Sequence, residues 1–411
     1  MTDAQKRPAG SGWGAGAATS AEAKALRRLP DSLALLARAR RRVPGFAWDY
    51  LEGGVGQELG LARNRQALDR IEILPRYGVE IRDTSTETQL FGQSYALPLG
   101  VAPMGLSGLV WPQADRHLAL AAARERVGFV LSMVANIDIE TAMALAPHSW
   151  MQLYCVPKDD VHATFDLAAR AQRCGVRTLV LTLDTPMRQK RLRDLRNGLT
   201  VPFRPSLTTV RQVAAAPAWA WAMLRHGQPE FSNFKAYAGA RASAAQVAAY
   251  VDKEMSGAFT WALIARLRDL WPGQLVLKGI QHPQDVLQAV ALGVDGVILS
   301  NHGGRQFDAA PAAVSLLPQI RPLVGERIKL MVDGAILSGL DILKALVLGA
   351  DFVFAGRPFL ASVAAMGARG PDHLMAIFRN ELRGVMAQAG AVNIAALKDH
   401  GASQRAAPAS T

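Results

Sequence analysis

The stretch QLVLKGIQHPQDVLQAVALGVDGVILSN, residues 274–301, contains a complete strand–helix–strand unit. Its two ends, 274–280 and 296–301, are short apolar runs that do not alternate with polar residues, which is typical of parallel strands buried on both faces. Between them, apolar residues follow Pro283 at helical spacing. The stretch therefore predicts two parallel strands joined by a helix.

The same unit recurs along the chain. Ala- and Leu-rich helical stretches separate eight strand-like runs, at 97–103, 127–133, 149–155, 178–184, 274–280, 296–301, 328–334 and 351–357. Eight such units predict an α/β fold, a closed (β/α)8 TIM barrel, in preference to an open doubly wound sheet. The alternative is a sheet of six or seven strands in which one run has been misassigned.

We divide the 411-residue chain into four parts. Small and polar residues predict a disordered tail at 1–20, and helical periodicity predicts an N-terminal helical segment at 21–95. The barrel follows at 96–395, and residues 396–411 are expected to form a C-terminal tail. Within the barrel, the segment 186–258 after the fourth strand is too long for an ordinary βα connection, which indicates a lid or a membrane-interface insertion.

Composition excludes several classes of protein. Half of the residues are hydrophobic and 19% are charged, which excludes wholesale disorder. Cys155 and Cys174 are too few for a disulfide framework and favour a reducing compartment. No apolar run has the length of a signal peptide or of a spanning helix, so we expect a cytoplasmic protein.

The net charge of +12 is unevenly distributed. Residues 1–46 carry a net +6 and residues 188–241 a net +8, which leaves −2 for the rest of the chain. Two basic segments on a nearly neutral body fit an acidic substrate, an anionic cofactor or a membrane surface better than nucleic acid. The sequence also contains no zinc-ligand spacing and no nucleic-acid-binding motif.

The middle of the long insertion is both basic and aromatic. TVRQVAAAPAWAWAMLRH, residues 209–226, places Trp219 and Trp221 among small apolar residues and next to Arg225 and His226. This pattern is typical of a helix that lies in a membrane interface, and it fits a lid helix packed on the barrel mouth equally well.

Polar side chains stand at the predicted carboxyl ends of the strands, the face on which barrel enzymes carry out their chemistry. In strand order they are Ser132, Gln152, Tyr154, Thr182, Asp184, Lys278, Ser300, His302, Asp333 and Arg357. A buried strand needs none of these groups in order to fold, so their recurrence predicts a functional site.

One of these ends, SNHGGRQ at 300–306, combines several reactive groups. A histidine followed by two glycines can present its ring in a cleft, and Arg305 can bind a carboxylate. A single histidine is more often structural. Here, however, Asp184 is a candidate partner that would stabilise the protonated ring of His302, so the combination predicts a general base paired with a carboxylate.

The ends of the seventh and eighth strands predict a phosphate site. Asp333-Gly334 and Gly356-Arg357 occupy the corner in which many barrels bind phosphate. Either pair alone would be an ordinary turn. Together, and with Lys278 further in, they suit a phosphorylated cofactor that lies across the mouth.

Several motifs occur in a fixed order along the chain: APMG (102–105), WMQLY (150–154), LTLDTP (181–186), LVLKG (275–279), SNHGGRQ (300–306) and AGRP (355–358). They resemble the FMN-dependent 2-hydroxy acid dehydrogenases and oxidases, and the resemblance covers about residues 35–390. The strings DYLEGG, GLVWPQAD and LRDLWP are similar to the mandelate dehydrogenase branch. WAW with GQPEFSNFKAY is similar to the membrane-associated bacterial lactate dehydrogenases.

The resemblance implies roles on the substrate side of the site. His302 would take a proton from the substrate, with Asp184 paired to its ring, and Tyr154 would contact the substrate oxygen near the reacting carbon. The substrate carboxylate would be held by Arg191, Arg305 and Tyr50.

The resemblance also implies FMN as the cofactor. Lys278 would lie beside the N1/C2 edge of the flavin and stabilise the charge of the reduced ring. The other residues implied to bind FMN are Ser132, Gln152, Thr182 and Ser300, the backbone at Pro103, Met104 and Gly105, and, at the ribityl phosphate, Asp333, Gly334, Gly356 and Arg357.

Two departures from the family pattern concern the residues that would bind the FMN phosphate and the substrate carboxylate. The family usually reads DGGxRRG after the seventh strand, but this chain reads DGAILSG, with Ala335 and Leu337 in place of a glycine and of an arginine that meets the phosphate. The phosphate would then have to be bound by Arg357 with backbone groups or by another basic residue. Otherwise FMN would bind weakly. After the fourth strand the chain reads MRQKRLRD, in which Arg188 and Lys190 compete with Arg191 as the carboxylate ligand.

The expected activity is oxidation of an (S)-2-hydroxy acid to the 2-oxo acid. Val134 stands where glycolate oxidase-like members carry a bulky Trp, and Gly105 stands where an Ala is common. The resemblance therefore implies room for a mandelate-like side chain, while a lactate-like substrate stays open. The basic aromatic patch at 209–226 favours a membrane quinone as electron acceptor and peripheral association with the inner face of the cytoplasmic membrane. The alternatives are a soluble oxidase that uses O2 and a non-catalytic member with impaired FMN binding. The resemblance implies a homotetramer.

Overall fold

The computed structural model describes residues 20–187, 189–199, 206–239, 241–255, 257–400 and 402–404. Of the predicted tail at 1–20, all but Ser20 lies outside the described residues, and so does Arg188.

The N-terminal segment begins with helices and ends with short strands. It contains α1 (Ser20–Arg28), α2 (Ser32–Arg40), α3 (Gly45–Glu52), α4 (Leu59–Asp69), β1 (Ile71–Ile73), β2 (Thr88–Leu90) and β3 (Gln93–Tyr95). The strands β2 and β3 pair as an antiparallel hairpin in which Leu90 opposes Gln93. Residues 71–95 of the segment expected to be helical therefore contain strands, because the helical periodicity stops at Arg70.

Eight parallel strands form a closed barrel, as the sequence predicted. They are β4 (Leu99–Val101), β5 (Gly128–Ser132), β6 (Trp150–Leu153), β7 (Thr178–Thr182), β8 (Gln274–Ile280), β9 (Gly296–Leu299), β10 (Lys329–Asp333) and β11 (Phe352–Ala355). Each strand pairs with the next in chain order, and β11 closes the barrel on β4 with Val353 opposite Leu99. The (β/α)8 prediction is thereby confirmed.

Helices follow each strand and cover the outside of the barrel. In chain order they are α5 (Ser107–Val110), α6 (Ala114–Glu125), α7 (Ile139–Leu145), α8 (Lys158–Arg173), α9 (Leu192–Arg196), α10 (Leu207–Ala214), α11 (Pro217–His226), α12 (Lys235–Ala238), α13 (Ala244–Glu254), α14 (Trp261–Leu270), α15 (Pro283–Ala291), α16 (Leu317–Val324), α17 (Gly339–Val347), α18 (Arg357–Met366) and α19 (Gly370–Ala389). The main hydrophobic core lies between these helices and the outer face of the strands.

A second, smaller core fills the barrel interior. Phe352 and Phe354 of β11 are buried there beside Trp150 of β6, and the β2–β3 hairpin adds Tyr95 from the amino-terminal end. Gly100 of β4 makes room for these rings, since a Cβ at that position would lie 2.4 Å from the ring of Phe354. The lower half of the barrel is therefore solid, and only the carboxyl-terminal end can hold a ligand.

Near the C-terminus, the chain packs against its N-terminal segment. Residues 402–404 form β12 (Ala402–Gln404), which pairs antiparallel with β1 so that Gln404 opposes Ile71. Leu397 and His400 are buried. The described part of the segment 396–411 is thus packed on the body rather than extended away from it.

The insertion after β7 contains α9 to α13. Trp219 of α11 packs edge-on against Phe46 of α3, with ring centroids 5.6 Å apart, and its Nε1 donates to the carbonyl of Leu109. On the same helix, Trp221 is 65% exposed and Leu224 is 78% exposed. Among the described helices, none is long and apolar enough to cross a membrane.

Candidate active site

Strand alternation explains why polar side chains line the upper part of the barrel. In a parallel barrel, residues two apart on a strand face the same side. Directly above the buried interior residues Val130, Trp150, Val180, Val276, Ile298 and Met331 lie Ser132, Gln152, Thr182, Lys278, Ser300 and Asp333. The last inward position of six successive strands is therefore polar.

Three of these side chains form a hydrogen-bonded row. Ser132 Oγ donates to Gln152 Oε1 at 2.9 Å, and Gln152 Nε2 donates to Thr182 Oγ1 at 2.9 Å. All three residues are buried. The direction of the amide of Gln152 is set by its two neighbours, so the row presents a fixed pattern of donors and acceptors toward the mouth.

Lys278 lies at the centre of the inner wall. Its Nζ contacts Ser300 Oγ at 2.8 Å and Asp333 Oδ2 at 3.0 Å. Burial alone would lower the pKa of Lys278, but the charges of Asp333 and Asp184 outweigh it and raise the pKa above its ordinary value. A permanent cation therefore stands in the wall of the cavity.

His302 and Asp184 form the predicted pair. His302 Nδ1 lies 2.9 Å from Asp184 Oδ1, while the backbone N–H of His302 donates to Ser300 Oγ. Burial raises the pKa of Asp184, but the charges of His302 and Lys278 outweigh burial, so this pKa lies below its ordinary value. Gly279 allows the approach, since a Cβ there would lie 2.6 Å from Asp184 Cβ.

The backbone of His302 is in the left-handed region, with φ of +56°. Few non-glycine residues adopt this conformation, and strained positions of this kind cluster at functional sites. The turn directs the imidazole into the cavity, where Tyr154 stacks on it with ring centroids 6.4 Å apart.

A cavity of about 280 Å³ lies at the mouth of the barrel. It is lined by thirteen of the predicted residues: Tyr50, Pro103, Met104, Gly105, Tyr154, Arg191, Lys278, His302, Arg305, Asp333, Gly334, Gly356 and Arg357. The other five lie directly behind this lining and are hydrogen-bonded to it or to one another: Ser132, Gln152, Thr182, Asp184 and Ser300.

Tyr50 of α3 forms part of the rim. Its hydroxyl donates to the carbonyl of Gly105 at 2.9 Å. The guanidinium groups of Arg191 and Arg305 lie over its ring, 4.8 and 5.3 Å from the centroid. Two cations thus meet at one aromatic side chain in the cavity, which is a suitable place for a carboxylate.

The three predicted anion ligands differ in their partners. Arg191 Nε contacts Asp194 Oδ2 at 2.7 Å. Arg305 donates to the carbonyls of Tyr50 and Gly53, and Arg357 donates to that of Gly53 as well. In the part of the chain that the structure describes, no carboxylate forms an ion pair with Arg305 or Arg357, so both cations can accept an anionic ligand.

Arg357 begins α18 and is half-buried beside the cavity. Burial lowers the pKa of Arg357 to about 10, which still leaves it protonated at neutral pH. Gly356, the N-cap residue of this ten-residue helix, makes no side-chain cap. A half-buried cation next to a helix N-terminus favours an anion such as a phosphate.

The DGAILSG loop lacks a cation of its own in the cavity. Ile336 and Leu337 line this corner together with Leu360. The nearby Arg65 of α4 does not fill the place of the missing arginine, because it is paired with Asp341 at 2.8 Å and donates to the carbonyl of Ala335. Leu337 therefore leaves Arg357 as the cation of the corner.

Sequence reasoning missed several residues of the cavity. Met255, at the end of α13, and Gln189 line it although both belong to the insertion, and Cys155 lines it after β6. Gln189 stands in the motif MRQKRLRD, which the sequence analysis had already singled out, so its place in the chain was a usable signal. Met255 gave no local signal, since its place depends on how the insertion folds back.

The chemistry of this cavity fits FMN. The buried row from Ser132 to Thr182 and the cation of Lys278 offer donors and acceptors to the edge of a polar heterocycle. Asp333 Oδ1 is buried without a hydrogen-bond partner among the described residues, as expected of a group that faces a ligand. The cation of Arg357 suits the phosphate.

Comparison with known proteins agrees with this geometry. Residues 39–404 match the family described as FMN-dependent dehydrogenase. (S)-Mandelate dehydrogenase of Pseudomonas putida is 34% identical over 359 residues, which cover 87% of this chain and 90% of that protein. L-Lactate dehydrogenase of Caulobacter vibrioides (strain NA1000 / CB15N) is 37% identical over 363 residues, which cover 88% and 94%.

Solved structures show the same likeness. The crystal structure of the monotopic membrane protein (S)-mandelate dehydrogenase has a TM-score of 0.85 at 33% identity and covers 89% of this chain and 97% of that chain. The crystal structure of mandelate oxidase has a TM-score of 0.78 at 32% identity and covers 91% and 98%. The chain therefore belongs to the FMN-dependent dehydrogenase family.

Proposed function

We propose that this protein oxidises an (S)-2-hydroxy acid to the corresponding 2-oxo acid. The observation that carries the proposal is the convergence of the His302–Asp184 pair, Lys278 and Arg305 around one cavity. In the reaction, the substrate loses in total two electrons and two protons, one proton from its hydroxyl and one from Cα. FMN, when bound, supplies the acceptor for the two electrons.

His302 acts as the general base. Its Nδ1 is held by Asp184, so Nε2 is the ring atom that accepts a proton from the substrate. The ionised carboxylate of Asp184 then stabilises the imidazolium that results. Tyr154, stacked on the imidazole, contacts the substrate oxygen near the reacting carbon.

The carboxylate of the substrate binds at the rim. Arg191 and Arg305 provide two positive charges beside the ring of Tyr50. Binding the carboxylate there orients the Cα–H and the hydroxyl of the substrate relative to His302, which is a contribution of positioning rather than of chemistry.

FMN would be held by the inner wall and the phosphate corner. Lys278, with Ser132, Gln152, Thr182 and Ser300, would bind the polar part of the flavin, and the backbone at Pro103, Met104 and Gly105 would complete its binding site. The ribityl-phosphate end would be held by Asp333, Gly334, Gly356 and Arg357, of which Arg357 is the cation that suits the phosphate. The charge of Lys278 would stabilise negative charge on the reduced ring.

The substrate side chain is large or aromatic in this proposal. Val134 and Gly105, two small residues, line the cavity. Met255 adds a flexible apolar wall that can adapt to a ring. Mandelate-like acids fit this pocket better than glycolate, and lactate-like acids are the second candidate.

Anaerobic flavin reduction tests the proposal. The purified protein, loaded with FMN, is mixed with glycolate, L-lactate, (S)-mandelate and (R)-mandelate, and the flavin absorbance is followed. We expect (S)-mandelate or L-lactate to reduce the flavin. Glycolate should be the slowest of the acids that react, and (R)-mandelate should not react. A protein that takes up no FMN, or whose flavin stays oxidised with every acid, would refute the proposal and support a non-catalytic member.

We further propose that the exposed part of the insertion contacts a membrane and that a quinone accepts the electrons there. Trp221 and Leu224 expose apolar surface on a helix that ends in Arg225 and His226, which suits an anionic lipid interface. Sedimentation with vesicles that contain phosphatidylglycerol tests this, with Trp221→Asp/Leu224→Asp as the variant. Leu74→Asp, at an equally exposed leucine of another surface, is the matched control.

The expected result is that the double variant loses vesicle binding while the control retains it. Equal binding of all three proteins would contradict the membrane proposal, and rapid peroxide formation in air would favour the oxidase alternative. The homotetramer is part of the same proposal, and the solution mass of the protein tests it.

A further inference from the structure

The residues 49–58, here called the junction segment, connect α3 to α4 at the edge of the cavity. On one side, its backbone carbonyls at Tyr50, Leu51 and Gly53 accept hydrogen bonds from Arg305 and Arg357. The junction segment therefore contributes directly to the placement of two predicted anion ligands.

On its other side, the junction segment presents carboxylates to Arg193 of α9. Arg193 Nη1 lies 2.9 Å from Glu52 Oε2 and 3.5 Å from Asp49 Oδ1, and its Nη2 lies 2.5 Å from Glu58 Oε2. One guanidinium thus meets three carboxylates that lie more than 130 residues away in the chain.

The three carboxylates are themselves held in place. Trp48 Nε1 donates to Glu52 Oε2 at 3.0 Å, and the backbone N–H of Gly54 donates to Glu58 Oε1 at 3.1 Å. Asn197 Nδ2 donates to Asp49 Oδ2 at 2.7 Å. A connected network of this kind is stiffer than an isolated surface ion pair.

The helix that carries Arg193, α9, buries little surface. α9 spans five residues and buries none of them. Arg191, the N-cap residue of α9, lies against Tyr50. The position of Arg191 therefore depends on how α9 is attached. Among the described residues, the hydrogen bonds and ion pairs that join α9 and its C-cap to the junction segment come from Arg193 and Asn197.

The charge of Arg193 is balanced by Glu52 and Glu58, so this arginine is not a site for a further anion. Arg191 and Arg305 stand nearby without that excess of carboxylates. Arg191 and Arg305 are therefore the pair of cations that faces the substrate, whereas Arg193 joins two parts of the protein.

We propose that Arg193 is a positioning residue for substrate binding: it attaches α9 to the junction segment and thereby sets the places of Arg191 and Tyr50, which hold the substrate carboxylate. This inference rests on the proposed function. Loss of Arg193 should loosen α9, weaken carboxylate binding and leave the inner wall unchanged.

Arg193→Met and Arg193→Lys in the FMN-loaded protein test the proposal. For Arg193→Met, we expect the apparent dissociation constant of the 2-hydroxy acid in anaerobic flavin reduction to rise about tenfold, while the limiting rate constant changes less than about threefold. Arg193→Lys should fall between this variant and the wild type, since a lysine reaches one carboxylate rather than three.

Two measurements separate positioning from a general loss of structure. Binding of the 2-oxo acid product, followed by the flavin spectrum, should weaken about tenfold in Arg193→Met, while the FMN dissociation constant stays the same. Arg82→Met, which removes an exposed ion pair to Glu80, is the matched control and should resemble the wild type. If Arg193→Met does not fold, Asn197→Ala removes a smaller part of the same attachment.

Amide hydrogen exchange distinguishes this inference from the proposed function. Residues 191–197 of Arg193→Met should exchange faster than in the wild type even without substrate. Unchanged exchange with unchanged product binding overturns the inference. A wild-type protein that oxidises no 2-hydroxy acid overturns the proposed function, whereas an active wild type with an unaffected Arg193→Met variant overturns only the inference.

Discussion

Lys278 at the inner wall has 5% of its side chain exposed, whereas Arg193 at the rim has 30% exposed. The inner wall consists of side chains at the ends of neighbouring strands, such as Gln152 and Thr182, and their spacing is fixed by the barrel. The rim consists of the junction segment and α9, which come from distant parts of the chain and meet through ion pairs.

This difference separates two kinds of contribution. In the proposed function, groups of the inner wall act on the reacting atoms and the cofactor, where a fixed position in a dry environment makes electrostatic effects large. Groups of the rim are proposed to bind the substrate carboxylate and to keep each other in place, where solvent weakens each contact. Variants of the inner wall should therefore change rate or cofactor affinity, and variants of the rim should change substrate affinity or stability.

The largest effect is expected for His302→Gln. Loss of the proposed general base should lower the rate constant of flavin reduction by about 10³- to 10⁴-fold, with FMN still bound, because the contacts of the inner wall are unchanged. Stopped-flow absorbance under anaerobic conditions measures this rate. His148→Gln, at an exposed histidine on the opposite end of the barrel, is the control. If the rate constant of His302→Gln were within about threefold of the wild-type value, the distinction between wall and rim would be wrong.

An intermediate effect is expected for Leu337→Arg at the phosphate corner. A second cation beside Arg357 should lower the FMN dissociation constant by about tenfold, since a charge-assisted contact to a phosphate is stronger than a neutral one. Quenching of FMN fluorescence on binding measures the affinity. Leu337→Met keeps the volume without the charge and should not change it; weaker FMN binding by Leu337→Arg would show that the corner has no room for a second cation.

The smallest effect is expected for Glu58→Gln at the rim. Burial raises the pKa of Glu58, but the hydrogen bonds from Arg193 and from the N–H of Gly54 outweigh burial and lower it. A carboxyl group with a lowered pKa in the folded state stabilises the fold above its unfolded pKa, and this stabilisation is lost as the pH falls through the folded value.

Glu58→Gln should therefore be less stable than the wild type by on the order of 1 kcal/mol at pH 7, and the difference should be smaller at pH 3. Denaturant unfolding followed by tryptophan fluorescence at the two pH values measures the difference. A difference of the same size at both values would mean that Glu58 stabilises the rim by packing and not by charge.

Most of the barrel and the inner wall could be predicted from the sequence. The runs that became β5 and β8 are continuous and apolar, and the polar residue at the carboxyl end of each stood out against that background. Because strand ends of a closed barrel meet at one face, Ser132 and Lys278 could be assigned to one site before any contact was known. Strands at 71–95 were not foreseen, since β1 to β3 are three residues each and carry too few residues for periodicity to be visible.

The order of strands and helices, the polar side chains at the strand ends and the loss of the phosphate arginine at Leu337 follow from the sequence by itself, because each depends on residues close together in the chain. Only the tertiary structure decided that Arg193 pairs with Glu52 and Glu58, that Arg65 is already paired with Asp341, and that Met255 lines the cavity. These contacts join segments that are far apart in sequence, and nothing in the local pattern of either segment specifies its partner until the barrel has brought the two together.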